Sequence, residues 1–307
     1  MSSDDMMFSI RVPASTANLG PGFDSIGLAL SLYLIVHVYQ SERWEVTPLS
    51  EEMKAFPTDE NHYVIKIAKK VATNYGKELP PCRLAIESEI PLARGLGSSA
   101  SAIVAGIQLA DSLCNLQLTR EEKVHLASLE EGHPDNAGAS VAGGLVIGEH
   151  EEEQTALLSF SLANVEVAVV IPKYELLTSD SRNVLPSSLA FKESVKASAI
   201  ANTFLAALLA GNYEMAGKMM KRDLFHQPYR RELVPLLTEV EEIAYKKGAF
   251  GVALSGAGPS IVCFAETKQM SKLLQSLSEY FLDCDVKQID IDQEGCVVMS
   301  NADTINI

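Results

Sequence analysis

Residues 91–101 read Pro-Leu-Ala-Arg-Gly-Leu-Gly-Ser-Ser-Ala-Ser, and the architecture of the chain hangs on them. A strand pattern at 83–90 leads into this stretch. An alanine-rich helical pattern leaves it, running from about Ser98 to Leu113. Gly95 and Gly97 carry no Cβ, so the backbone there can approach a ligand closely. The N–H groups that follow stand at the positive end of a helix dipole. A glycine loop feeding a helix N-terminus is an anion site, and nucleotide phosphates are the ligand that suits it best. Ser98 and Ser99 add hydroxyls for phosphate or Mg²⁺. Gly95-x-Gly97-x-x-Ala100 also matches the dinucleotide fingerprint in form. That motif requires a strand after its helix, and here a second helix opens at Thr119 instead. A Walker A loop needs Gly-Lys-Ser/Thr, which is absent. The plain alternative is a loop that only turns a corner.

Working outward, residues 62–75 carry Val64, Ile67, Ala68 and Val71 at helical spacing. Thr119 with Glu122 three residues on forms a capping box, and that helix should stop at Gly132-His133-Pro134. Phe8–Val12, 28–38 and Gly143–Ile147 read as strands. The acidic stretch Glu149–Glu153 reads as a solvated turn between two halves. Beyond it come a buried strand at 164–171, helical patterns at 190–210, 212–222 and 230–247, a strand at 251–265, a helix at 267–281 and a strand at 284–299. The 190–210 pattern, with Val195, Ala199, Ala201, Phe204, Leu205 and Leu208, reads as a core helix. The fold class is α+β, with a flexible tail at 1–7, a first domain at 8–155 and a second at 156–307.

The 307 residues are 47% hydrophobic and 21% charged, enough apolar material for a real core. Lys and Arg total 25 against 40 Asp and Glu, a net charge of −15 that repels nucleic acid at long range. The five cysteines include no C-x-x-C pair, which argues for a reducing compartment. Asp4 and Asp5 stand where a signal peptide would be basic, and the longest apolar run, Ile26–Val38, is too short to span a bilayer. These features point to a cytoplasmic protein with no membrane partner.

Pro91–Ser101 resembles the phosphate-binding motif of the GHMP small-molecule kinases. Within that family the chain is similar to the homoserine kinases. The matching pieces are Pro-Ala-Ser-Thr-Ala-Asn-Leu-Gly-Pro-Gly-Phe-Asp (13–24), Glu-Gly-His-Pro-Asp-Asn (131–136), Thr178 with Arg182-Asn-Val-Leu-Pro, His226-Gln-Pro-Tyr-Arg230 and Leu-Ser-Gly-Ala-Gly-Pro-Ser (254–260). They span the chain apart from its first several residues. One departure is Asp-Asn-Ala-Gly-Ala, where the family usually continues Asp-Asn-Val-Ala-Pro; this is expected to alter strand geometry and not chemistry.

The resemblance implies a two-domain GHMP kinase architecture, with a ribosomal-protein-S5-like N-terminal domain, a ferredoxin-like C-terminal domain and the active site between them. It implies ATP held by Pro91, Leu92, Ala93, Arg94, Gly95, Leu96, Gly97, Ser98, Ser99, Ala100 and Ser101. Mg²⁺ would be held by Ser99 and Glu131, with Glu130 the neighbouring alternative. L-homoserine would bind to Asn18, Asp24, His133, Asn136, Thr178, Arg182, Arg230 and Gly256. Asp24 would take the ammonium, and Arg182 and Arg230 the carboxylate and the γ-phosphate, with Arg231 the alternative to Arg230. The Ser255-Gly256-Ala257-Gly258 stretch would pack against the phosphate loop.

Glu131, Asn136 and Arg182 would be the catalytic group. Several family members have an aspartate at the Asn136 position, but asparagine cannot take a proton. Asn136 would therefore only orient the hydroxyl, which would pass its proton late to the phosphate; Asp135 is the alternative base. The implied activity is ATP-dependent phosphorylation of L-homoserine to O-phospho-L-homoserine, on the route to threonine. The alternatives are a kinase for another small alcohol such as mevalonate, or a non-catalytic nucleotide-binding regulator. A homodimer stays open.

Overall fold

A computed structural model describes residues 6–300. The first half runs β1 (Met6–Ala17), β2 (Ile26–Gln40), β3 (Glu45–Pro48), a short 3-10 turn, α1 (Tyr63–Asn74), β4 (Cys82–Ser88), α2 (Ser98–Cys114), α3 (Arg120–Glu131), α4 (Pro134–Ala142), β5 (Leu145–His150) and β6 (Thr155–Phe160). The second runs β7 (Val165–Pro172), α5 (Thr178–Asn183), α6 (Phe191–Leu209), α7 (Tyr213–Met220), α8 (Gln227–Arg230), α9 (Leu236–Lys246), β8 (Gly251–Leu254), β9 (Ile261–Glu266), α10 (Thr267–Tyr280), β10 (Cys284–Ile289) and β11 (Val297–Met299).

Seven strands form the first sheet, in the order β11-β1-β2-β4-β3, with the β5–β6 hairpin attached to β2. β2 is long enough to serve two partners: Leu34–Gln40 pairs with β4 and Ile26–Leu28 with β5. Four antiparallel strands form the second sheet, in the order β10-β7-β9-β8. Counted within that sheet, this is the 4-1-3-2 order of a ferredoxin-like unit. Apart from Glu166 near its start, β7 is apolar because both of its faces are covered. Val167, Val169 and Ile171 join the core shared with the first sheet, α6 and α7, while Ala168 and Val170 pack with Leu237, Val240 and Leu273 of α9 and α10. Among the described residues, no helix is long and apolar enough to cross a membrane.

The helices flanking the phosphate loop end where their local chemistry dictates. Thr119 caps α3 by accepting from Glu122 N–H, and the Glu122 carboxylate returns a bond to Thr119 N–H. Gly132 then terminates the helix in the left-handed region, at φ 83°. Elsewhere the structure departs from sequence expectation. The segment after Gly132 is helical: Pro134 occupies the first turn of α4, where its missing N–H costs nothing. Asp-Asn-Ala-Gly-Ala therefore lies on a helix and not on a strand. The acidic turn at 151–154 closes a hairpin within the first sheet, so that sheet continues past residue 155 to Phe160 and regains β11 from the chain's far end. The 284–299 stretch divides between the two sheets. The 230–247 pattern is interrupted by Pro235, and 251–265 is a hairpin around Gly256–Pro259. On α6, Phe204 and Leu208 are buried, but Val195 is 55% exposed. Met6 and Met7 belong to β1, and residues 1–5 lie outside the described residues.

Candidate active site

The phosphate loop joins β4 to α2 with three left-handed residues, Ala93, Gly95 and Gly97, at φ 52°, 75° and 72°. Gly97 is the N-cap of α2 and supplies no side chain, so the first N–H groups of the helix face the cleft unfilled. Both glycines are required by close approach. A Cβ on Gly95 would stand 2.2 Å from Ser255 O, and one on Gly97 would stand 2.2 Å from Ser15 Oγ. The loop is thus clamped between the two halves: Ser255 Oγ donates to Gly95 O at 2.6 Å, and Ser15 N–H donates to Leu96 O at 3.1 Å. Arg94 does not reach into the cleft. Its guanidinium bonds Leu92 O, Pro172 O and Lys173 O, which ties the loop to the end of β7. Ser101 is buried and donates to Pro13 O, so it too serves the fold.

Around this loop a single cleft gathers Asn18, Asp24, Glu131, His133, Asn136, Thr178, Arg182, Arg230 and Gly256. Glu131 ends α3 beside Ser99. Its Oε1 is buried without a hydrogen-bond partner. Burial raises its pKa, against the opposing pull of His133, Ser99 and Arg182. An orphaned carboxylate oxygen next to a loop hydroxyl is the hard oxygen set that Mg²⁺ takes. Glu130 is engaged elsewhere, 2.5 Å from Lys70 Nζ. Arg231 likewise turns away into a two-pronged bond with Glu241, so that of these two neighbours it is Arg230 that lines the cleft, together with Arg182.

Asp24 and Arg182 were expected as separate receptors, yet they bond one another at 2.8 and 3.0 Å. Their positions come from different halves, Asp24 from the β1–β2 loop and Arg182 from α5. Asn18 holds that loop in place. Its Oδ1 accepts from Asp24 N–H and its Nδ2 donates to Gly256 O. Arg230 is 2% exposed and bonds Ser181 O, Gly256 O and His226 Nδ1 through Nε and Nη1, which leaves Nη2 for the cleft. Asn136 sits in the first turn of α4 with its Oδ1 taken by the Ser15 hydroxyl at 3.0 Å, so its amide N–H₂ is what remains for a ligand. Asp135 Oδ1 accepts from His133 Nδ1 at 2.5 Å and from Asn136 N–H at 2.7 Å. Burial alone would lower the His133 pKa, but Asp135, with Asp24 and Glu131, outweighs it and raises it.

Two features escaped sequence reasoning. Phe23 lies under both arginines, 5.6 Å from Arg182 Cζ and 5.4 Å from Arg230 Cζ. An aromatic between Gly22 and Asp24 was its only signal. Beyond Ser98 and Ser99 opens an apolar chamber lined by Leu34, Met53, Phe56, His62, Tyr63 and Ile90. Its walls come from separated segments that share no motif.

The GHMP kinases N terminal domain model matches residues 62–144, and the GHMP kinases C terminal model matches 204–283. The homoserine kinase of Bacillus velezensis is 51% identical over 301 residues, covering 98% of this chain and 97% of the relative. The solved homoserine kinase of Cytophaga hutchinsonii superposes with a TM-score of 0.84 at 25% identity, covering 97% of this chain and 99% of that one. The Methanococcus jannaschii mevalonate kinase shares the fold, with a TM-score of 0.70 at 19% identity over 93% of this chain and 98% of that one. The chain belongs to the GHMP kinase family, among its homoserine kinases.

Proposed function

We propose that the chain transfers the γ-phosphoryl group of ATP to the side-chain hydroxyl of L-homoserine. The observation that carries this reading is the placement of an acid–arginine pair, with a second buried arginine beside it, in the same cleft as an open phosphate loop. A zwitterion can exchange with the Asp24–Arg182 pair, its ammonium meeting Asp24 and its carboxylate meeting Arg182 and the Nη2 side of Arg230. A simple anion such as mevalonate would bring no cation to take the place of Arg182 at Asp24. A pure binding protein would have no use for the buried, unpartnered oxygen of Glu131.

ATP phosphates would rest on the N–H groups of Ser98, Ser99 and Ala100, with the base in the apolar chamber beyond them. Glu131 and Ser99 would hold Mg²⁺, which supplies charge neutralisation on the transferring phosphates. The Asn136 amide would donate to the homoserine hydroxyl and aim its oxygen at the γ-phosphorus. As that O–P bond forms, the bond to the ADP oxygen breaks and the hydroxyl proton passes to the transferred phosphoryl group. Asp135 also lines the cleft, but its Oδ1 is engaged by His133 and Asn136 N–H, and this reading gives it the role of holding that ring and turn. A loose transition state tolerates the lack of a base.

The test is Mg²⁺-dependent ADP release with homoserine, threonine, serine, mevalonate and galactose. Homoserine should stimulate release far above the rest. A flat panel, or one led by mevalonate, would overturn the reading.

A further inference from the structure

We infer that His226 is a positioning residue of this site, a buried neutral ring that fixes the span between the ammonium and carboxylate receptors. The inference rests on the homoserine reading above. His226 is fully buried just ahead of α8. Its Nε2 lies 2.9 Å from Gly20 O and its Nδ1 lies 3.2 Å from Arg230 Nη1. A guanidinium only donates and a carbonyl only accepts. Nδ1 must therefore accept, and Nε2 must carry the proton. One tautomer of the neutral ring satisfies both partners. A second proton would set N–H against N–H and one cation against another.

The surroundings agree with that state. Asp223 Oδ2 stands 3.5 Å from Nε2 but is already taken by the backbone N–H groups of His226 and Gln227. Burial, joined by the Arg230 charge, overrides Asp223 and holds the His226 pKa down at about 4.

The two bonds of the ring lead to opposite receptors. Gly20 opens the loop that carries Phe23 and Asp24, whereas Arg230 ends α8. The ring also stacks on Phe23, with centroids 5.4 Å apart, and Phe23 in turn lies under Arg182 and Arg230. An α-amino acid presents its ammonium and carboxylate at a fixed separation, so receptors borne on different elements must be held at a matching one. A mispositioned fork weakens substrate capture and leaves the phosphate loop untouched.

The test compares H226A, H226N and H226Q with the parent, using L-homoserine, its methyl ester and ATP. H226A should raise the homoserine KM by about 10- to 100-fold, the size of a lost hydrogen bond to a charged group. The ATP KM should stay within about twofold, because that ligand meets neither bond. The methyl ester lacks the carboxylate, so its KM should rise much less. H226N places an amide oxygen where Nδ1 accepts, and should restore most of the homoserine affinity. If H226A fails to fold, H226Q, which keeps the donor to Gly20 and gives up the acceptor for Arg230, should show the same split. An unchanged homoserine KM, or equal losses for homoserine, ester and ATP, overturns the inference. A parent enzyme that does not turn over homoserine overturns the functional reading itself.

Discussion

At Glu131, burial opposes the charged carboxylate more strongly than His133, Ser99 and Arg182 favour it. Burial raises its pKa, so the unfolded chain releases that proton at lower pH than the folded one does. Stability attributable to this group is therefore highest below its unfolded pKa and declines as pH rises through the folded one. Glu131→Gln removes the titration. In EDTA at pH 7 the variant should melt at a higher temperature than the parent, and the gap should close near pH 4. Its kcat with Mg²⁺ and ATP should fall by about a hundredfold or more, since charge neutralisation at the transferring phosphate is lost. Calorimetry and steady-state assays at the two pH values check both halves; a variant that is less stable in EDTA, or near normal in kcat, contradicts them. At this scale the identities of Asp24 and Arg182 were legible in the sequence, because charged residues in motifs announce themselves. Their mutual bond was not, since 158 positions separate them and only the folded chain brings them together.

The phosphate loop shows how much an element depends on what packs against it. Gly95 and Gly76 both adopt left-handed backbone, at φ 75° and 66°. A Cβ on Gly76 would meet nothing within 4 Å, whereas one on Gly95 would stand 2.2 Å from Ser255 O. Gly76→Ala should therefore cost only the conformational penalty, about 1 kcal/mol, and leave the ATP KM unchanged. Gly95→Ala must also push the second half's glycine loop away, so it should lose more stability and raise the ATP KM by about tenfold or more. Thermal melts and nucleotide titrations of the two variants side by side decide the point. α2 and α3 could be read from sequence because their ends are set by local chemistry, a glycine N-cap and a capping box. α4 could not, because Gly132-His133-Pro134 reads as a stop although Pro134 starts the next helix. The β8–β9 split was hidden inside one apolar run for a related reason: its turn residues, Gly256 to Pro259, look like a ligand loop, and two of them, Gly256 and Ala257, line the cleft.

The two halves share more than a cleft. One hydrophobic cluster takes Ile10, Val36 and Ile103 from the first half together with Val167, Phe204 and Val262 from the second. The first sheet is completed by β11, where Ser9 faces Met299 and Arg11 faces Val297. Separate folding of residues 8–155 is thus not expected. Heating should give one cooperative transition with matching calorimetric and van't Hoff enthalpies, and a fragment ending at residue 155 should lack native-like near-ultraviolet dichroism. Two resolved transitions, or a folded fragment, would contradict this. The β1–β11 pairing also has a consequence for biosynthesis. A ribosome releases the chain from its N-terminus, so β1 emerges early with one row of backbone donors and acceptors facing water and no strand to meet it. That row stays open until residues 297–299 leave the exit tunnel. A chain cut short before residue 297 keeps this unsealed edge for its whole lifetime, which marks it for chaperone capture or proteolysis, whereas a chain that carries Val297–Met299 can close it.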